Sequence, residues 1–278
     1  MAPVSTGASS VVGSTPARVD PFRGDARATR RATILAGVTV AVLLLAQAVV
    51  VWGDTWLAEV AQIGAFVFLA IAYLAWPREP HRQLLLAFAL LPLVQLLSLS
   101  LPTRLVPTLE WFVLIGVPVY AMLVLAGFRL GLRPAELGLR RTRWQPQARI
   151  VLIGAALAVP GYLILRPTPL VADPTPLNVV TAMVIVAIFG GLLEEGLFRG
   201  VIQAVGERSV ARRSIVVSAF ATGLLYSATL DVRYIAFAVL VGILFSTVVR
   251  RTGSLVGVGI GHAALLSIQL VLLPALFG

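Results

Sequence analysis

Cysteine and lysine are absent from the 278 residues, histidine occurs only twice, and 12% of positions are charged. Each absence narrows the chemistry. Without cysteine there is no disulfide framework, no thiolate metal site and no cysteine nucleophile. With only His81 and His262, imidazole acid–base or metal chemistry has two places to reside. Soluble domains carry about 25% charged residues and roughly 45–50% apolar ones. Here 59% of residues are hydrophobic. That balance excludes an ordinary soluble enzyme, and it also excludes disorder, which needs the opposite composition. What is present is a series of long apolar runs, the mark of an all-α polytopic transmembrane helix bundle.

A bilayer core about 30 Å thick takes roughly 20 apolar residues to cross as a helix. On that scale the sequence predicts about nine spans: 32–52, 57–76, 83–101, 109–130, 149–166, 177–205, 212–230, 232–249 and 254–276. Turn signals separate them, among them Gly53-Asp54, Pro77-Arg78-Glu79-Pro80 and the proline-rich loop from Pro167 to Pro176. The third run is short and contains Pro92. Read as re-entrant, it would leave eight spans. Residues 1–31 are rich in Ser, Gly, Ala and Pro and read as a disordered cytoplasmic tail. Ala46-Gln47-Ala48 has the look of a leader cleavage site, but the run stays apolar to Trp52, so the reading is a retained first span. The domain reading is a tail over 1–31, N-terminal helices over 32–130 and a core over 131–278.

All 22 basic residues are arginine, and the net charge is +10. Their placement decides what this means. With a cytoplasmic N-terminus, 18 fall in cytoplasmic segments, three (Arg104, Arg166 and Arg233) fall outside, and Arg199 lies within a span. This is a positive-inside pattern. The charge therefore reads as orientation in a cell membrane and attraction to anionic lipid, with no nucleic-acid motif accompanying it.

Ionisable groups deep in a span cost several kcal/mol and need a reason. The sixth span contains Gly190-Gly191-Leu192-Leu193-Glu194-Glu195-Gly196-Leu197-Phe198-Arg199-Gly200. Glu195 and Arg199 are four apart and share a helix face, where they can pair. Glu194 is rotated about 100° from Glu195 and is left free to face a cavity. Such a carboxyl suits acid–base work or proton coupling, while a purely structural clamp by Arg199 is the plain alternative. In the ninth span His262 lies at a depth comparable to Glu194. Two small-residue stripes, Gly253/Gly257/Gly261 and Gly196/Gly200, predict that the sixth and ninth spans touch and bring Glu194 to His262. His81 falls in a short loop and reads as interfacial.

Glu-Glu-x-x-x-Arg in an apolar helix, followed by Arg251-Thr252-Gly253-Ser254-Leu255 and then His262, resembles the CPBP family over about residues 130–270. The stretch Gly131-Leu132-Arg133 to Leu137-Gly138-Leu139-Arg140 also resembles the segment before that family's core. The family comprises the type II CAAX prenyl endopeptidases and the bacteriocin-processing or immunity (Abi) proteins. The resemblance implies intramembrane hydrolysis of a peptide bond in a membrane-associated peptide or protein. Glu194 would be the general base, Glu195 and Arg199 its support, and His262 part of the oxyanion site. The sequence departs from the family at two motif positions. Tyr226 stands where spacing and depth put the second-motif His, with Leu230 the alternative register, and Leu266 stands where the third motif has Asn. A catalytically degenerate binding, immunity or scaffold protein is thus a second reading. A proton-coupled transporter is a third, although no related halves with paired broken helices are visible. No cofactor is required by this set. A zinc ion would rest on Glu194, Glu195 and His262 alone.

Overall fold

The computed structural model describes residues 26–76, 80–101, 106–140 and 142–278, without the side chains of 26–33 and Pro80. The predicted tail up to residue 25, together with Arg78, Arg104 and Arg141, lies outside the described residues. The chain divides into two units, Met1–Gly37 and Val38–Gly278. Of the first, only the opening turns of a helix are described.

All regular structure among the described residues is helical. The helices are α1 (Ala26–Trp52), α2 (Thr55–Ala75), α3 (Pro80–Phe88), α4 (Leu90–Ser100), α5 (Thr108–Arg129), α6 (Trp144–Leu165), α7 (176–210), α8 (Ser214–Tyr226), α9 (Val232–Thr252) and α10 (Val256–Phe277). Among the described residues eight helical stretches are long and apolar enough to cross a membrane. The sixth of these, Pro176–Thr229, holds 54 residues. At 1.5 Å per residue a straight helix of that length would far exceed a bilayer. It reverses instead at Ala211 (φ +50°), so it contains both α7 and α8, the sixth and seventh expected spans. His81–Ser100 counts as one stretch but is broken between α3 and α4 at Ala89. Pro92 has no N–H for the carbonyl of Phe88, and its ring crowds that carbonyl. His81 is half-buried in the first turn of α3 rather than in a solvated loop.

The helices are patterned for lipid. On α2 the small or polar residues Ala58, Gln62 and Ala65, with Leu69, face inward. Val60, Ile63, Val67, Ile71 and Leu74 are exposed. Water would reverse this arrangement, whereas a bilayer favours small and polar groups between helices. The ends are capped as the sequence suggests. Thr175 Oγ1 accepts from the Asn178 N–H, with Pro176 in the first turn of α7. Asp231 accepts from the Arg233 N–H at the start of α9, and Gly253 closes that helix in the left-handed region (φ +67°).

The segments between α5 and α6, α7 and α8, and α9 and α10 meet at one end of the bundle. Arg208 donates to both carboxylate oxygens of Glu136 at 2.8 and 2.7 Å and to the carbonyls of Leu130 and Gly131. The Leu255 N–H donates to the Gly138 carbonyl at 2.9 Å, and Arg250 lies 3.8 Å from Glu207. These segments carry many of the arginines assigned to one side by their distribution.

Candidate active site

The carboxylate pair sits at an irregular point of α7. Leu193–Glu195 is a short α-helical turn between two widened π-helical segments, Ala187–Leu192 and Gly196–Gln203. A π turn disturbs the ordinary hydrogen-bond ladder, and such turns recur at functional sites. Two carbonyls in these segments are taken up by side chains from other helices. Tyr120 donates to the Ile188 carbonyl at 2.6 Å, and Ser218 donates to the Phe198 carbonyl at 3.0 Å. Neither residue stood out in the sequence, where a hydroxyl in an apolar run is the only signal.

The predicted contact between α7 and α10 is present, but through different glycines. A Cβ at Gly191 would overlap the backbone of Ala263, and one at Gly259 would come 3.1 Å from Leu192. Gly257 and Gly261 pack instead against Gln147, Ile150 and Val151 of α6, and Gly196 against Leu123 of α5. The two stripes therefore serve other helix crossings. The correction has a simple cause: α10 is flanked by α6 as well as α7, and a stripe in sequence does not say which neighbour uses it.

This packing brings the charged residues together. Arg199 Nη1 donates to Glu195 Oε1 at 2.9 Å, the i,i+4 pair expected from the sequence. His262 Nδ1 lies 2.6 Å from the same oxygen. Glu195 is 0% exposed, Arg199 2% and His262 4%. Arg199 and His262 thus share one oxygen of a fully buried carboxyl, the paired arrangement that a buried charge needs. With Nδ1 turned to Glu195, the other ring nitrogen of His262, Nε2, lies on the side of Glu194. The resemblance implies a donor role for His262 toward an oxyanion.

Glu194 has different surroundings. The Tyr226 hydroxyl lies 3.0 and 2.8 Å from its two oxygens. His262 Nε2 is 3.9 Å from Oε2, and the Glu194 side chain is 18% exposed. Tyr226 therefore touches Glu194. Leu230 is 65% exposed in a turn and is remote from this chemistry. Arg199 clamps Glu195 alone and makes no bond to Glu194.

A small cleft opens beside these residues. It is lined by Arg199, Tyr226, Tyr234, His262 and Leu266, among others, with open space about that of one water. Tyr234 accepts from Gln269 Nε2 at 2.8 Å. A glutamine within an apolar run was a visible signal for this pair. Among the described residues no three His, Cys, Asp or Glu side chains are grouped to hold a metal ion. His262 commits Nδ1 to Glu195, so only Nε2 and Glu194 face a common point. Two donors do not make a zinc site.

Residues 176–267 match the family model described as type II CAAX prenyl endopeptidase Rce1-like. The match is consistent with a CPBP family protein. The Rce1-like segment runs from the start of α7 into α10 and contains Glu194, Glu195, Arg199, Tyr226 and His262. Compared with curated proteins and with solved structures, the chain matches none. The family match lies within a chain whose described residues hold eight helices long and apolar enough to cross a membrane.

Proposed function

We propose that the chain is an intramembrane endopeptidase of a cell membrane, hydrolysing a peptide bond of a membrane-associated substrate with a water activated by Glu194. The observation that carries this reading is the approach of Glu194 Oε2 to His262 Nε2 at 3.9 Å, with Nδ1 of the same ring turned to Glu195. An oxygen about 2.8 Å from both atoms would sit at the apex of a near-right angle, within ordinary hydrogen-bond reach. Such a water gives one hydrogen to each acceptor and turns its remaining lone pairs outward.

Glu194 takes a proton as the water oxygen attacks the peptide carbonyl carbon. The carbonyl oxygen becomes the oxyanion. Glu194 then passes the proton to the leaving amine as the C–N bond breaks. Glu195 and Arg199 hold the His262 ring in the tautomer this requires. Anionic lipid at the arginine-rich end would support docking of the membrane, and a second, non-cleaving reading is favoured by Tyr226, whose single hydrogen is given to Glu194.

The test is cleavage by the full chain, in lipid nanodiscs, of a quenched peptide ending in farnesylated Cys-aliphatic-aliphatic-X. The same peptide without the farnesyl group is run beside it. Cleavage that falls about 10²–10⁴-fold in Glu194→Gln, with unchanged thermal midpoint, supports the general base. Cleavage unaffected by that change removes Glu194 from the role. No cleavage of either peptide favours the binding reading.

A further inference from the structure

The cleft beside the carboxylates contains a donor left over from the ion pair. Arg199 is 2% exposed, yet only Nη1 is bonded. Its Nε and Nη2 are buried without a partner. Unpaired buried donors are rare and costly, more so on a charged group, and each calls for a reason. Arg199 lines the small cleft together with Tyr226, His262 and Leu266. Gly242 packs close beside the guanidinium, and a Cβ there would lie 3.3 Å from Nη2.

Among the other polar groups of the cleft, Thr222 gives its hydrogen to the Ser218 carbonyl, and the Tyr234 hydroxyl, a neutral donor, keeps one to give. The Tyr226 hydrogen goes to Glu194, and His262 Nδ1 is turned to Glu195. Leu266 has no donor. Resting on the endopeptidase reading, we propose that Arg199 is itself a catalytic residue, with Nη2 donating to the carbonyl oxygen of the scissile bond as it becomes an oxyanion.

Two further facts point to this oxygen rather than to a standing carboxylate. The cleft has room for about one oxygen atom. The charge also balances. Glu194 is neutralised by the proton from water in the same step that makes the carbonyl oxygen negative, so the site's total is unchanged. A permanent carboxylate would add a third negative group beside Glu194 and Glu195. A preorganised donor in a water-poor site is the kind that stabilises a developing charge. Arg199 would thus have one nitrogen for structure and another for chemistry.

The decisive variant is Arg199→Lys. A lysine ammonium can still meet Glu195 four residues back, but it has no second planar nitrogen to aim into the cleft. With the farnesylated quenched peptide, kcat is expected to fall about 10²–10³-fold while KM stays within about twofold. Affinity for a phosphinic-peptide analogue of the tetrahedral intermediate should fall with kcat, while affinity for an uncleavable substrate peptide should not. A purely structural role would move neither ratio. Should Arg199→Lys fail to fold, Gly242→Ala decides, crowding Nη2 while leaving the ion pair, with a kcat loss of about tenfold expected. Wild-type kcat in both variants, or in Gly242→Ala alone if the lysine variant unfolds, overturns the donor assignment and leaves the endopeptidase reading standing. Absence of cleavage by the wild type overturns both.

Discussion

Two polar clusters lie buried between the helices of this bundle, and they differ in kind. In the N-terminal half, Gln47 of α1, Gln62 of α2 and Gln95 of α4 border one small cavity. Gln95 Nε2 donates to Gln47 Oε1 at 3.0 Å. These groups are neutral, and their bond is the ordinary polar glue between membrane helices. In the Rce1-like segment the cluster is ionic, and its two neighbouring carboxylates are treated unequally. Glu195 is fully buried and takes both Arg199 and His262 on one oxygen. Glu194 is partly open and has Tyr226. Polar burial alone therefore does not mark chemistry in a membrane bundle. The mark is a pair of adjacent carboxyls with different neighbours, one fully buried with Arg199 and His262 on a single oxygen, the other partly open with a hydroxyl against both of its oxygens.

The comparison can be broken at several points. The largest effect is expected from Glu195→Gln. Removing one partner of a buried ion pair costs about 3–5 kcal/mol. The thermal midpoint of the detergent-extracted protein should fall steeply, whereas Glu194→Gln leaves it nearly unchanged. Equal losses in the two variants would erase the distinction between the carboxylates. Next, Tyr226→His places an imidazole against Glu194 and frees that carboxylate from the hydroxyl. Peptide turnover should rise about tenfold, within the range attributed to a positioned acid–base group. No gain in a folded variant would argue that Tyr226 is not at the position of the missing histidine.

A smaller effect tests the neutral cluster. Gln95→Leu should cost about 0.6 kcal/mol, the average of hydrogen bonds between membrane helices, and leave cleavage unchanged. A large loss of cleavage would tie the amide cluster to the site. The smallest effect lies at the arginine-rich end. The Arg133 N–H and the Arg208 guanidinium hold the Glu136 carboxyl below its ordinary value. A lowered carboxyl stabilises the fold above the ordinary carboxylate range and loses that contribution as pH falls through the lowered value. Glu136 is 36% exposed, so solvent screening limits the gain to about a few tenths of a kcal/mol. Midpoints of the wild type and Glu136→Gln should differ slightly at neutral pH and converge in acid.

Much of the architecture is legible along the chain because it is local. Apolar runs of membrane length, proline and glycine breaks and an i,i+4 carboxylate–arginine pair need only neighbouring residues, and each of these features appears in the fold. The reversal at Ala211 and the break at Ala89 are less visible, since both depend on how a helix meets its neighbours. The glycine stripes mislead for the same reason. Gly257 and Gly261 are spaced for close packing, but only the placement of α6 shows that it is the partner. Tyr120 and Ser218 were missed because their task, bonding carbonyls in the π segments, exists only once those segments form.

By itself the sequence determined a helical chain with runs long and apolar enough to cross a membrane, and Glu194, Glu195 and Arg199 as the anomalous charges within one of them. Only the tertiary structure decided which carboxylate holds His262. His262 is 67 positions from Glu195, and no helical periodicity relates them. Their meeting depends on the absent side chain of Gly191, which lets α7 lie against the backbone of α10. From that contact follow the hold of Glu195 on one nitrogen of His262, the second nitrogen turned toward Glu194, and the shared oxygen that engages Arg199 through Nη1 alone.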